Sequence, residues 1–286
     1  MAARKPPTER QRRLGAELRT MREHAGLSIN DAAVMHGTDR TSVTNVETGR
    51  AGVSTDRVRV WAANYSCADS AYIDALAGMA RERRAGNTNW WDEYRGTLPA
   101  VLLDIAELEY HAVAIRAAQL TNMPGLLQHE DYVRAVFEEA VVPLAPADFE
   151  RKLAFRLRRS EVIEGPRALP CTFLVHEAAL RMRFGGLKVV RTQLAYLLEQ
   201  SERENVTLRV LPFEAGGTPL AAGSTQYVRG PVPRLDTVQS DTPVGVSFQS
   251  AEAHLANYRV LLDRMEKRAL APKPSRDFIR ELARQL

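Results

Sequence analysis

Three glycines, Gly26, Gly37 and Gly49, punctuate the first 65 residues so closely that only short helices fit between them. Over residues 10–25, Leu14, Leu18 and Met21 recur at helical spacing, and Gly26 supplies the C-terminal stop. Ser28 is placed to cap a helix over 29–35, with Asp31 as its acidic partner three positions on. Residues 36–39 form a tight turn in which Gly37 takes positive φ. A third helix over 40–48 turns Val43 and Val46 inward and ends at Gly49. A fourth, over 55–64, closes the core with Val58, Val60 and Trp61.

Short helix, glycine turn, short helix is the helix-turn-helix pattern. Through LRTMREHAGLS (18–28), the small residues and glycine of 32–37, and SVTNVETGR (42–50), the sequence resembles the phage-repressor, or XRE, class. The resemblance implies that the third helix enters a DNA major groove with its N-terminal residues facing base edges. Arg40, Thr41, Ser42 and Asn45 are then the expected base readers, since Arg pairs with guanine and Asn with adenine. Ser28, Asn30, Thr44 and Arg50 are the expected phosphate contacts, which position the domain without reading sequence. The resemblance also implies a structural ion pair between Arg22 and Glu47. Ile29 departs from the pattern, because many members carry glutamine there.

Charge agrees with a polyanion partner at this end. Residues 1–89 carry 14 Arg and Lys against 10 Asp and Glu, whereas residues 90–286 carry 25 of each. The basic arm of Arg4, Lys5, Arg10, Arg12 and Arg13 is open to two readings, a phosphate-tracking arm or a solvated tail. Cys67 and Cys171 have no metal-ligand spacing, so no metal and no disulfide framework is expected. No apolar run is long enough for a bilayer span and no apolar stretch follows the basic start, so a cytoplasmic, nucleoid-associated protein with no membrane partner is expected.

The expected fold class is mainly α with an α+β C-terminal domain: a four- or five-helix domain over 1–80, a polar linker over 81–90, and a larger domain over 91–286. Leu98, Val101, Ile105, Leu108, Ala112 and Ile115 are spaced as an apolar seam on one long helix, for core packing or for a dimer. Further helices are expected over 129–140, 151–159, 187–202 and, last, 251–269. The basic face of the second is open to two readings, a nucleotide-phosphate or nucleic-acid contact or, given the flanking Glu150, Glu161 and Glu164, a solvated face. Strands are expected over 171–176, 206–211, 225–228 and 234–239. Trp90, Trp91, Tyr94 and Tyr110 are read either as packing near the domain junction or as the lining of an effector pocket.

The segments WWDEY (90–94), LEYHAV (108–113), MPGLLQ (123–128), DYVRA (131–135), VHEAAL (175–180) and VLP (210–212) resemble an actinobacterial regulator family. Its members pair an XRE-type domain with a C-terminal domain of unassigned function. The resemblance implies a DNA-binding transcriptional regulator that pairs with a small protein partner. A single small DNA-reading domain on a larger body points in addition to a homodimer on double-stranded DNA whose larger domain carries a small-molecule effector or partner surface. An antitoxin-like component whose DNA binding is autoregulatory is the alternative. No phosphate-cradling loop or catalytic motif occurs, and His176–Glu177 reads as a strand terminus, so no enzyme activity and no cofactor are expected.

Overall fold

The first four helices each start on a side chain that satisfies amides the helix cannot. In the computed structural model, which describes residues 6–82, 89–139, 143–216, 224–242 and 245–286, α1 (Glu9–His24) opens on a Thr8–Gln11 capping box. α2 (Ile29–Met35) opens on the expected Ser28–Asp31 pair, Ser28 Oγ accepting from Asp31 N at 3.2 Å and Asp31 Oδ2 from Ser28 N at 2.9 Å. α3 (Arg40–Glu47) is capped by Asp39, and α4 (Thr55–Asn64) by Ser54. α5 (Ser70–Glu82) and a 3-10 turn over Trp90–Tyr94 follow. The sequence places α1 to α4 within a residue of these bounds, because caps and glycine stops are local signals.

Leu18, Val43, Val46, Val58, Trp61 and Tyr72 fill the core of these helices. Val60 does not join them: it is 54% exposed on the outer face of α4, while Val58 and Trp61 take the inner one. Gly15 and Gly49 let α1 approach α3. A Cβ on Gly15 would lie 2.5 Å from the carbonyl oxygens of Val46 and Glu47, and Gly49 combines φ +72 with backbone of α1 only 2.9 Å from a notional Cβ.

α6 (Ala100–Tyr110) ends well before the seam read from the sequence does. The chain turns at His111–Val113 and re-emerges as β1 (Ala114–Gln119), so Ala112 leaves the helix and Ile115 lies on a strand. Helix-favouring alanines are overridden here by pairing: β1 is bonded in parallel to β2 on one side and antiparallel to β4 on the other. Small Ala117 and Ala118 suit a strand buried on both faces.

α7 (Glu130–Glu138), α8 (Pro146–Arg158) and α9 (Glu161–Glu164) connect β1 to β2 (Cys171–His176). α10 (Glu177–Arg181) and α11 (Gly186–Gln200) connect β2 to β3 (Val206–Leu211). β4 (Thr225–Arg229), β5 (Thr237–Thr242) and β6 (Gly245–Gln249) complete one six-stranded sheet of order β3-β2-β1-β4-β5-β6, parallel in its first half and antiparallel in its second. α12 (Glu252–Arg268) covers one face through Leu255, Leu262 and Met265, against Leu174, Tyr227 and Val238. α13 (Pro272–Gln285), which the sequence reading does not anticipate, holds β3 through Ser275 Oγ, which accepts from Val210 N at 2.9 Å.

Two compact units divide between Leu108 and Glu109. Residues 91–108 thus group with the N-terminal helices, whereas the composition shift places the start of the larger domain at 91. Residues 83–88 of the expected linker, Arg4 and Lys5 of the basic arm, and the end of the expected 129–140 helix lie outside the described residues. Among the described residues no helix is long and apolar enough to cross a membrane.

Candidate nucleic-acid interface

α3 has two unlike sides. Val43, Val46 and Glu47 are buried, while Arg40 and Thr41 are exposed and Ser42, Thr44 and Asn45 are partly so. Asp39 fixes the first turn: its Oδ1 accepts from Ser42 N at 2.8 Å and its Oδ2 from Ser42 Oγ at 2.7 Å. Those bonds hold the Asp39 carboxyl below the usual carboxylate range. The Ser42 hydroxyl has therefore committed its proton and offers only lone pairs outward. Thr44 is committed likewise, Oγ1 donating to Arg40 O at 3.0 Å. Arg40, Thr41 and Asn45 make no side-chain hydrogen bond among the described residues, and Arg40 carries a full fork of donors to the start of the helix.

The buried side of α3 is locked by a bidentate pair. Arg22 Nε donates to Glu47 Oε1 at 2.7 Å and Nη2 to Oε2 at 3.0 Å, with both side chains about 5% exposed. Arg22 Nη1 also donates to Leu27 O at 2.8 Å, so one guanidinium ties α1, the loop before α2 and α3 together. The Glu47 hydrogen bond lifts the Arg22 pKa above its ordinary value, leaving the cation permanently charged. Ser28 sits in its capping box, and Asn30 and Arg50 are exposed.

The turn between α2 and α3 rests on His36, the C-cap of α2. Its ring stacks on Trp61 at 4.3 Å, its Nε2 lies 2.9 Å from Tyr65 Oη, and its Nδ1 lies 3.2 Å from Asn64 Nδ2. One neutral tautomer satisfies both contacts, Asn64 donating to Nδ1 and Nε2–H donating to Tyr65. Burial, and then the nearby Arg57, push the His36 pKa below its usual 6.5. A depressed folded-state value means that His36 contributes stability in full above pH 6.5 and loses it as pH falls towards the folded value. Accordingly, His36→Gln should be less stable than wild type at pH 7.5, and the gap in melting temperature should narrow by about pH 5.

Of the aromatic set, Trp90 packs edge-on to Trp91 and Tyr94 within the first unit. Trp91 helps line a cavity of about 300 Å³ with Leu98, Leu103, Asp104 and Glu107. Burial raises both of those carboxyls, although Asp104 Oδ1 accepts from Glu9 N at 3.0 Å and so caps α1 from α6. Tyr110 does not line this cavity: it belongs to the second unit, beneath the Arg167 guanidinium and edge-on to His111. His176 Nδ1 accepts from Ala178 N at 3.1 Å as the cap of α10, and Glu177 holds Arg181 Nε and Phe213 N. The Cys171 thiol is pushed up to about 12 by burial and by Glu109. Among the described residues no three His, Cys, Asp or Glu side chains are grouped to hold a metal ion.

Sequence reasoning misses Gly15, Asp39 and His36 as parts of this interface. Asp39 was visible as a capping residue three positions before Ser42, but the other two depend on contacts far along the chain.

A capped, half-exposed helix docked behind a glycine turn is the geometry of a DNA-reading module, and a helix-turn-helix domain model matches residues 13–69. The chain is a helix-turn-helix DNA-binding regulator. A second model, described as a domain of unknown function (DUF5753), matches residues 102–281, more than half of the chain, and the chain belongs to that family. No curated protein and no solved structure matches it.

Proposed function

We propose that this chain is a sequence-specific transcriptional regulator of the XRE type that works in the cytoplasm as a homodimer on a two-fold site in double-stranded DNA. In this reading the second unit senses a small-molecule effector or a protein partner, and the chain carries out no catalysis. The observation that carries it is the split of α3: Arg40, Thr41 and Asn45 stand outward with no internal partner among the described residues, while Arg22 and Glu47 hold the helix from behind. Ser42 joins the readers as an acceptor, and Arg50, Asn30, Ser28 and Thr44 take the backbone contacts in this reading, Asn30 and Arg50 being exposed. The positive surplus of residues 1–89 supports a polyanion partner at this unit.

Arg40→Ala should cost about 1–3 kcal/mol of operator affinity, roughly a fivefold to 150-fold loss, and relax specificity at one base pair in each half-site. Fluorescence anisotropy with single-base operator variants reads both effects. Unchanged specific affinity would remove α3 as the reading helix.

A further inference from the structure

α8 brings two guanidiniums to one side of the sheet, and they are treated differently. Arg159 is buried and held by Glu109, its Nε donating to Oε2 at 2.8 Å and its Nη2 to Oε1 at 2.6 Å. Gln226 Nε2 on β4 donates to the same Oε1 at 2.9 Å, so both oxygens of the Glu109 carboxylate are engaged. Arg156, nearly one turn earlier, has no carboxylate within salt-bridge distance among the described residues. Its Nε donates to Gln128 Oε1 at 3.1 Å, and Gln128 is itself fixed by donating to Met123 O at 2.8 Å.

The guanidinium is thus aimed, not loose. Gly125 makes room for it, since a Cβ there would stand 3.3 Å from Arg156 Cζ and Nη2. The titratable groups facing it are Arg159, Glu109, Asp241, Tyr132 and Lys152. Asp241 is exposed and takes the Gln239 amide at 2.8 Å, and the Tyr132 hydroxyl accepts from Met123 N at 3.3 Å. Neither Nη1 nor Nη2 of Arg156 has an acceptor among the described residues. Burial, with Arg159 adding its own positive charge, pushes the Arg156 pKa down to about 10. Gln226 and Gln239, paired directly across β4 and β5, make the same side of the sheet polar where an interior would be apolar. A partly buried cation with no carboxylate in contact among the described residues is stabilised by an oxyanion that supplies a counter-charge.

We propose that Arg156 anchors a ligand site in the second unit for a small molecule bearing a carboxylate or phosphate group. Its two free nitrogens present the parallel N–H pair that such an oxyanion accepts in bidentate fashion. The site deepens the reading of the second unit as the sensor, but it stands or falls on binding alone.

The test is thermal unfolding of the full chain in inorganic phosphate and, separately, acetate up to about 50 mM, with chloride holding the ionic strength constant. Wild type should show a saturable rise in melting temperature with at least one probe, and which probe acts assigns the ligand as phosphate or carboxylate. Arg151→Gln, on the same helix but paired with Asp148, should respond like wild type. Arg156→Lys should need at least a tenfold higher probe concentration, because it keeps the charge and loses the fork. Arg156→Met, which removes both charge and fork, should show no response to either probe. Equal responses in wild type and Arg156→Met, or no response in wild type with either probe, would each overturn the site. A response in wild type without any change in DNA affinity would keep the site and overturn the sensor reading.

Discussion

Glu47→Ala is expected to lower the unfolding free energy of the first unit by about 3–5 kcal/mol, the range for removing one partner of a buried ion pair. The loss is large because Arg22 would keep its charge in the core with Leu27 O as its one hydrogen-bond acceptor among the described residues and the exposed Glu23 carboxylate only at 3.7 Å. It is also specific in place. Arg22 joins α1, the Leu27 loop and α3, so α3 loses its support from behind even in the fraction that stays folded. DNA affinity should fall further than the stability loss alone dictates. Glu47→Gln, which keeps one acceptor and the shape, should lie between wild type and Glu47→Ala. Urea unfolding followed by circular dichroism measures the first effect, and a loss below about 1 kcal/mol would contradict the assignment.

In the second unit, Glu109→Ala should cost about 3–5 kcal/mol on the same grounds. Glu109 is 0% exposed and answers Arg159 and Gln226 at once, so its removal leaves the buried Arg159 guanidinium without its carboxylate. Pairing the change with Arg159→Met should recover most of the loss, because charge and counter-charge then leave the interior together. Urea unfolding of the single and double variants followed by circular dichroism reads both changes. A single variant as stable as wild type would show that the pair is not desolvated.

What could be read in the sequence follows the range of the interactions involved. Ser28 and Asp31 lie three residues apart, Gly37 lies in the turn it makes, and Val43 and Val46 lie on one helical face, so α1 to α4 were legible. The Arg22–Glu47 pair came through family resemblance, and the geometry then gave it a third anchor at Leu27. β1 was illegible because AIRAAQ is alanine-rich and becomes a strand only between β2 and β4. α13 was obscured by Pro272 and Pro274, which read as breakers but are tolerated in a first helical turn. On the basic face of α8 the sequence does not single out Arg159, which meets Glu109 50 positions earlier, or Arg156, which meets Gln128 28 positions earlier, while Arg151 and Arg158 keep local surface pairs. Gly15 needed the α1–α3 crossing itself.

The central claim is that α3 reads a base sequence. The most direct measurement is a genome-wide footprint of the purified full chain beside its Arg40→Ala variant at one stated salt concentration. The account predicts one recurrent two-fold sequence for wild type, its half-sites about one helical turn apart, and a loss of preference at a single symmetric base pair for the variant. Footprints without a shared sequence, or one shared unchanged by Arg40→Ala, would contradict it.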